Sequence, residues 1–295
     1  MNVRFHSFLV LTVAAFLGVS TGSFARRPAH AGFEPISLYA SVQRSSTFEG
    51  CRYLFPAGKP ISLESVSPQW KPRGLCSNKF AVLYSGLSKT PLVVVERINR
   101  DSVLRAKNEK RADVFFPDPR LPAGERANLR DYARSSLNRG HLSPAADQPD
   151  ERAMAQSFAL SNIVPQDPTN NRRIWAKLES DTRKFAQRAR GDVYVFSGPL
   201  FKEGYRTVGR SHVWVPTHLF KLVYDQASGR AWAHILSNSA DALVGRPVSY
   251  AEFVTATGWH LLADAQVAGS VAARERQAGP RPSPKPRCGA TPASR

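Results

Sequence analysis

The sequence predicts an α+β fold with a central, mostly antiparallel sheet that is flanked by helices. Two patterns predict it. Runs of β-branched and aromatic residues recur along the chain, as in strands; they lie at 80–84, 91–98, 193–196, 212–215, 220–223 and 231–235. Between them, Ile174, Leu178, Phe185 and Ala189 follow the spacing of one helix face. With 295 residues and 42% hydrophobic content, the chain is long enough for one large or two small domains.

Residues 1–31 are predicted to be a secretory signal peptide. Arg4 precedes an apolar run at 8–19 that is too short for an ordinary membrane span. Small residues allow cleavage after Ala25 or Ala31, and we prefer the second site. An uncleaved anchor is the alternative. Because no later stretch is apolar enough to cross a bilayer, we expect export to a periplasmic or extracellular location without stable membrane association.

Residues 32–268 are predicted to form the folded domain. Its first part, to residue 78, is rich in Pro, Gly and Ser and is predicted to be irregular with short strands. Residues 99–137 are predicted to be a surface loop, because three prolines prevent a long helix. A short strand is expected at 158–160 and a helix near 251–254. Residues 269–295 are Pro-rich and basic and are predicted to be a disordered tail.

Three cysteines are present. Cys51 and Cys76 enclose a Pro- and Gly-containing segment, and in an oxidising compartment we expect them to form a disulfide. Cys288 remains in the tail, either free or paired with another molecule. Metal binding by these cysteines is not expected, because no Cys-x-x-Cys pair or nearby histidine accompanies them.

The chain is strongly basic. It has 41 Lys and Arg residues against 23 Asp and Glu, a formal net charge of +18. Such an excess indicates a polyanionic partner or an acidic surface. The alternative is a protein that is basic only for solubility.

Two segments carry the residues suited to phosphodiester chemistry. The first is Asn138-Arg139-Gly140-His141, and the second runs from Asn171 to Glu179. Imidazole titrates near neutrality and can act as a general base. An amide oxygen and a carboxylate can hold a hard cation, and arginines can contact phosphate oxygens.

These segments resemble the two signatures of the DNA/RNA non-specific endonuclease family, a group of ββα-metal nucleases. The first signature reads Asp-Arg-Gly-His in that family, and here asparagine stands in its first place. The second comprises 160–166 and 171–179, with Trp175 inside it. The resemblance extends weakly from about Cys51 to Leu262. It implies an α+β fold with a catalytic helix beside a β-hairpin.

The resemblance also implies a role for each site residue. His141 is the expected general base, Asn171 the metal ligand, and Glu179 a carboxylate that holds the ion through bound water. In a regular helix Asn171 and Glu179 would be about 12 Å apart, so both could not ligate one ion directly. Mg²⁺ is the expected ion, with Mn²⁺ as a substitute.

Arginines are expected to complete the catalytic set. Arg111 matches the family's arginine that steadies the transition state, with Lys110 as the alternative, and a solvated cation cluster is the other interpretation. Arg139 is expected to contact the phosphate. Asn162 and Gln166 match family positions and are interpreted as residues that orient loops.

The expected substrates are DNA and RNA. Arg139, Arg172, Arg173 and Lys177 are the predicted contacts with the nucleic-acid backbone, and an ordinary solvated helix face is the alternative. No base-reading element is recognisable, so little sequence specificity is expected. Four other histidines are interpreted as structural: His212, His218, His234 and His260.

The sequence therefore predicts a secreted, Mg²⁺-dependent non-specific endonuclease, an enzyme. The alternative from another class is a non-catalytic protein that binds polyanions and derives from a nuclease. Asn138 is the residue that favours this alternative. A second hypothesis is that Asn138 tunes His141: an aspartate there would raise the histidine's pKa, provided that the two side chains face each other.

Overall fold

The predicted α+β class is confirmed by an architecture that centres on one seven-stranded sheet. The structure, a computed structural model, describes residues 35–39, 47–262 and 265–268. Its strands are β1 (Pro72–Cys76), β2 (Phe80–Ser85), β3 (Thr90–Ile98), β4 (Asn138–His141), β5 (Ile163–Gln166), β6 (Val193–Leu200), β7 (Thr207–Val208), β8 (Val213–Trp214), β9 (His218–Asp225), β10 (Arg230–Ser237) and β11 (Val248–Ser249).

The large sheet has the order β1-β2-β3-β6-β9-β10-β11, and every neighbouring pair is antiparallel. Two small two-stranded sheets, β4-β5 and β7-β8, stand apart from it. Strands β3 and β6 are adjacent at the middle of the large sheet, where Ile98 pairs with Val193. The chain between those two residues therefore leaves the sheet and returns to its centre.

The helices of the described residues are mostly short. They are α1 (Arg100–Ala106), α2 (Leu129–Tyr132), α3 (Glu151–Ser157), α4 (Ala176–Ala186) and α5 (Tyr250–Thr257), with a π-helical segment, Asn170–Trp175, directly before α4. Single 3₁₀ turns occupy Pro35–Tyr39, Glu49–Leu54, Pro56–Gly58, Leu63–Ser65, Pro68–Trp70, Ala123–Glu125, Ala145–Asp147 and Leu160–Asn162.

The sheet buries both of its faces, which explains why its strands are near-continuous apolar runs rather than alternating ones. Alternate residues of β2 point to opposite sides. Leu83 belongs to a cluster with Phe196 and Phe220. Val82 belongs to another cluster with Trp175, which lies in the π-helical segment directly before α4. The helix is therefore anchored on one face, and the amino-terminal turns and α5 cover the other.

Several local predictions need correction. Residues 99–137 are not simply a loop: Asn99 caps α1 through a capping box with Ser102, a signal that is present in the sequence. The strand expected at 158–160 is absent there, since Phe158 ends α3 and Leu160 begins a 3₁₀ turn. Only Ala159 pairs in a β fashion, with Phe116.

The predicted disulfide is present between Cys51 and Cys76, whose Cα atoms are 5.6 Å apart. It fastens the 3₁₀ turn Glu49–Leu54 to β1 at the edge of the sheet. Cys288, the predicted signal segment 1–31 and the predicted tail 269–295 lie outside the described residues. Of the helices within the described ranges, none has the length and apolarity that crossing a bilayer requires.

Candidate active site

A β-hairpin positions His141. Strands β4 and β5 pair antiparallel, with His141 opposite Ile163 and Gly140 opposite Val164. The Gln166 side chain lies so close to Gly140 that any side chain there would collide with it. Glycine is thus required at position 140 for close packing between the two strands.

The loop after His141 is fixed by a buried hydrogen-bond network. Asn162 accepts a bond from the Ser143 amide at 2.9 Å and donates to the Ser143 carbonyl at 2.9 Å. The Ser143 hydroxyl donates to Glu96 of β3 at 2.7 Å. Asn162 therefore orients this loop, as expected, and Glu96 ties it to the large sheet.

The third part of the site is the helix that follows β5. Asp167 caps its start by accepting bonds from the amides of Thr169 at 2.8 Å and Asn170 at 2.9 Å. The first six residues, Asn170–Trp175, are π-helical before the regular turns of α4 begin. The regular helix assumed in the sequence analysis is therefore wrong at the segment that carries Asn171, and π-helical turns are frequent at functional sites.

This helix contacts the hairpin directly. The indole nitrogen of the fully buried Trp175 donates to the main-chain oxygen of His141 at 3.3 Å. Hairpin and helix together make the ββα arrangement that the resemblance implies.

Two arginines flank the imidazole by stacking on aromatic rings. The Arg111 guanidinium lies 5.1 Å from the centre of the Phe158 ring, and that of Arg139 lies 4.1 Å from Phe115. Both rings contact His141, at centroid distances of 4.9 Å for Phe158 and 5.4 Å for Phe115. Stacking of this kind places a planar cation without neutralising it. The structure thus brings Arg111, Arg139 and His141 together.

Lys110, the alternative to Arg111, is exposed. The segment that carries Arg111 is held in place further along, where Phe116 bonds to Phe158 and Leu160 through the main chain at 3.3 and 2.9 Å. Arg111 itself is 54% exposed and pairs with Asp113 at 3.1 Å, a contact open to solvent. Its guanidinium therefore remains within reach of a ligand.

The imidazole of His141 is held in its neutral form. Only 9% of the residue is exposed, and Nε2 has no hydrogen-bond partner among the described residues. Burial lowers the pKa of His141 to about 3, and the positive charge of Arg111 acts in the same direction. A neutral imidazole with a vacant nitrogen can accept a proton, as a general base must.

Burial has the opposite effect on Glu179. It raises the pKa of this carboxyl to about 7, against the nearby positive charge of Lys221. Burial also raises the pKa of Glu96 and of Asp147. Glu179 of α4, Glu96 of β3 and Asp147 of the 3₁₀ turn Ala145–Asp147 therefore lie close enough to influence one another's charge.

Two cations, Lys221 and Arg183, balance these acids. Lys221, on β9, is 1% exposed, donates to Ser197 at 2.7 Å and lies 4.8 Å from the Trp175 ring centre. Arg183 pairs with Asp147 at 2.7 Å. Lys221 lies between two apolar residues of β9. Its partners are distant in sequence, so the sequence pattern alone does not identify them.

The donor atoms fit a hard divalent cation. Asn171 offers an amide oxygen on a partly buried side chain, and Glu179 is a carboxylate whose raised pKa a nearby cation would lower. In the described part of the chain, no group of three or more His, Cys, Asp or Glu residues could hold a metal. An amide oxygen and a carboxylate are oxygen ligands of the kind that hard divalent cations prefer.

The other predicted backbone contacts lie on the outer face of the helix. Arg172, Arg173 and Lys177 are exposed, and Lys177 pairs with Asp181 at the surface. The structure does not bring these three residues to His141. Asn138 also points away from it, because residues three apart in the extended strand β4 project from opposite faces.

Comparison with known proteins identifies relatives among nucleases. The family model described as DNA/RNA non-specific endonuclease matches residues 61–268. Human mitochondrial nuclease EXOG is 30% identical over 211 residues, which are 68% of this chain and 57% of EXOG. Human mitochondrial endonuclease G is 36% identical over 161 residues, 51% of this chain and 54% of that protein. The chain thus spans about half the length of the curated relatives it matches.

These relatives contradict one prediction. They are named as mitochondrial nucleases, so the predicted periplasmic or extracellular location is wrong. That prediction rested on residues 1–31, which contain arginines and no acidic residue. Mitochondrial transit peptides share this composition, and for that reason charge in this segment does not distinguish the two targets.

A solved structure shows the same fold. The crystal structure of the EndoG/EndoGI complex contains a chain that superimposes with a TM-score of 0.57 at 25% identity. The match covers 63% of this chain and 83% of the other. Together with the family model, which covers more than half of the sequence, and with the hairpin-and-helix site, these findings show that the chain belongs to the DNA/RNA non-specific endonuclease family.

Proposed function

We propose that the chain is a divalent-cation-dependent endonuclease that hydrolyses phosphodiester bonds in DNA and RNA. The observation that carries this proposal is the neutral His141 imidazole. Its Nε2 has no hydrogen-bond partner in the part of the chain that the structure describes, and Arg111 and Arg139 stack on the two rings that contact the imidazole. A buried base next to two cations is what attack of water on a phosphodiester requires.

His141 takes a proton from the attacking water. Arg111 and Arg139 contact the non-bridging phosphate oxygens and stabilise the charge that grows on them. Trp175 holds the His141 main chain in place through its indole bond. The chain's own residues thus supply the base, its orientation and the phosphate clamp.

Mg²⁺ is the ion that we propose, with Mn²⁺ as a substitute. Asn171 would hold it directly and Glu179 through water. When bound, the ion supplies positive charge to the phosphate and to the departing oxygen. Because the groups around His141 are arginines that recognise phosphate rather than base edges, the enzyme should cut with little regard to sequence.

The test is cleavage of plasmid DNA and of total RNA, with Mg²⁺, with Mn²⁺ and with excess chelator. Wild type should cut both substrates, and chelation should abolish cutting. His141→Ala should lose about 100-fold to 10,000-fold in turnover. DNA binding should survive, because it comes from dispersed cations.

His260→Ala is the matched control, since His260 is exposed and lies away from the hairpin. It should cut like wild type. Undiminished cutting in chelator would contradict the metal assignment, and a fully active His141→Ala would contradict the assignment of the base. A wild-type protein that binds DNA but never cuts it would support the non-catalytic alternative.

A further inference from the structure

A cavity of about 490 Å³ lies beside the catalytic centre. Its volume is in the range of sites that hold small ligands. Part of its wall is apolar, formed by Val103 and Ala106 of α1 and by Met154 of α3. The remaining wall comes from α4 and from the loop that follows His141.

The charge of this cavity is mostly positive. Its lining includes Lys107, Arg111, Arg183 and Lys184 against one carboxylate, Glu109. Arg183 is already engaged by Asp147 at 2.7 Å. Lys107 and Lys184 are exposed, and the Lys184 ammonium lies 3.8 Å from the Asp181 carboxylate at the surface. An anion in the cavity could therefore meet two ammonium groups as well as Arg111.

The cavity shares Arg111 with the proposed active site. Arg111 lines it and also stacks on Phe158, whose ring contacts His141. Ala145 and Ala146, four and five residues after His141, form part of the same wall. If Arg111 holds a phosphate of a nucleic-acid strand at His141, the neighbouring part of that nucleic acid meets this cavity, which has an apolar wall and cationic side chains.

We propose that this cavity is a subsite for the nucleotide next to the cleaved bond. Lys107 and Lys184 contact its phosphate, and Val103, Ala106 and Met154 receive its sugar and base. The inference rests on the proposed function. It places the bound nucleic-acid strand on the side of α4 that faces α1. The alternative is the outer face of the helix, which carries Arg172, Arg173 and Lys177.

Two substrates test the inference. One is bis(p-nitrophenyl) phosphate, a phosphodiester without a flanking nucleotide, and the other is a short single-stranded oligonucleotide. The quantity measured is the kcat/KM for the oligonucleotide divided by that for the small diester. In Lys107→Ala/Lys184→Ala this ratio should fall by about tenfold or more, because charge-assisted phosphate bonds are lost.

The salt dependence gives a second readout. The slope of log kcat/KM against log salt, for the oligonucleotide, should decrease by about 1 for each phosphate contact removed. The control is Lys59→Ala/Lys202→Ala, which removes two exposed lysines from a separate cavity of about 750 Å³. The control should leave both the ratio and the slope at their wild-type values.

The outcomes separate the two proposals. If wild type cleaves neither substrate, the proposed function fails. A second outcome is that wild type cleaves both substrates while the Lys107/Lys184 variant shows the same kcat/KM ratio and salt slope as the control variant. That result would support the proposed endonuclease function and contradict the proposed subsite. A fall of equal size in Arg172→Ala/Arg173→Ala, without one in the Lys107/Lys184 variant, would place the strand on the outer face instead.

Discussion

His141 illustrates how neighbouring side chains set the protonation of a proposed general base. Phe115 and Phe158 exclude water from the ring, and Arg111 adds a positive charge nearby. Both effects disfavour the imidazolium, so the pKa falls to about 3. The His141 imidazole therefore stays neutral throughout the neutral pH range instead of being half protonated near pH 6.5.

We expect the His141 imidazole to show no titration step between pH 5 and pH 8, as followed by NMR of its ring protons. We expect the same for Asn138→Asp. A carboxylate raises the pKa of a nearby imidazole, but position 138 projects from the opposite face of β4. This corrects the hypothesis that Asn138 tunes the base.

Arg111→Gln is the informative comparison for this experiment. It removes a positive charge that lowers the pKa of His141, so that pKa should rise relative to wild type. A His141 step between pH 5 and 8 in Asn138→Asp alone would show that residue 138 does act on the imidazole.

At the scale of elements, the buried Lys221 ammonium helps to hold the helical residues 170–186 on the sheet. Lys221 of β9 contacts the Trp175 ring and Ser197, and its charge helps to balance Glu179, Glu96 and Asp147. Removing one partner from a buried ionic cluster leaves charge without compensation. The contact therefore joins the sheet to the helix that carries Asn171.

Replacing this lysine should destabilise the fold. We expect Lys221→Met to lower the free energy of unfolding by about 3–5 kcal/mol, measured by urea denaturation at pH 7. Lys202→Ala removes an exposed lysine and should change stability by less than about 0.5 kcal/mol. Equal stability of Lys221→Met and wild type would show that Lys221 does not compensate the buried acids.

Sequence patterns predicted these elements unevenly. The start of the catalytic helix was predictable, because Asp167-Pro168-Thr169-Asn170 is local capping chemistry. The π-helical turn was not, since no residue type specifies it. Helix α1 was missed although its capping box is local, because the prolines further along the segment outweighed it. Lys221 could not be paired with its partners from sequence, since they come from distant strands and helices.

For the whole molecule, the disulfide is a covalent constraint at the edge of the sheet. Cys51 and Cys76 are 25 positions apart in sequence. Closing a loop of this length reduces the entropy of the unfolded chain and contributes roughly 3 kcal/mol. The bond thus stabilises a segment of short 3₁₀ turns that has little regular structure of its own.

Cys51→Ser/Cys76→Ser should therefore unfold at lower urea concentration, with a loss of roughly 3 kcal/mol. Wild type treated with a reductant should lose a similar amount. The doubly substituted protein should be insensitive to reductant, which separates loss of the bond from damage by the serines. If reduction leaves wild type unchanged while the variant is destabilised, the serine side chains and not the missing bond are responsible.

The pairing of β3 with β6 has a consequence for how the molecule acquires activity. All the proposed catalytic residues lie between Ile98 and Val193, which stand opposite each other in the adjacent central strands β3 and β6. Pairing of this kind is slow to form. The long chain between β3 and β6 loses conformational entropy on closing before the stabilising contacts between the two strands are made. In a partly folded chain in which only β1, β2 and β3 have paired, β9 with Lys221 is not yet part of the sheet. The segment between β3 and β6 is then fixed to the sheet only at its β3 end. We therefore expect the proposed active site to be incomplete, and the chain inactive towards nucleic acid, until β3 and β6 have paired.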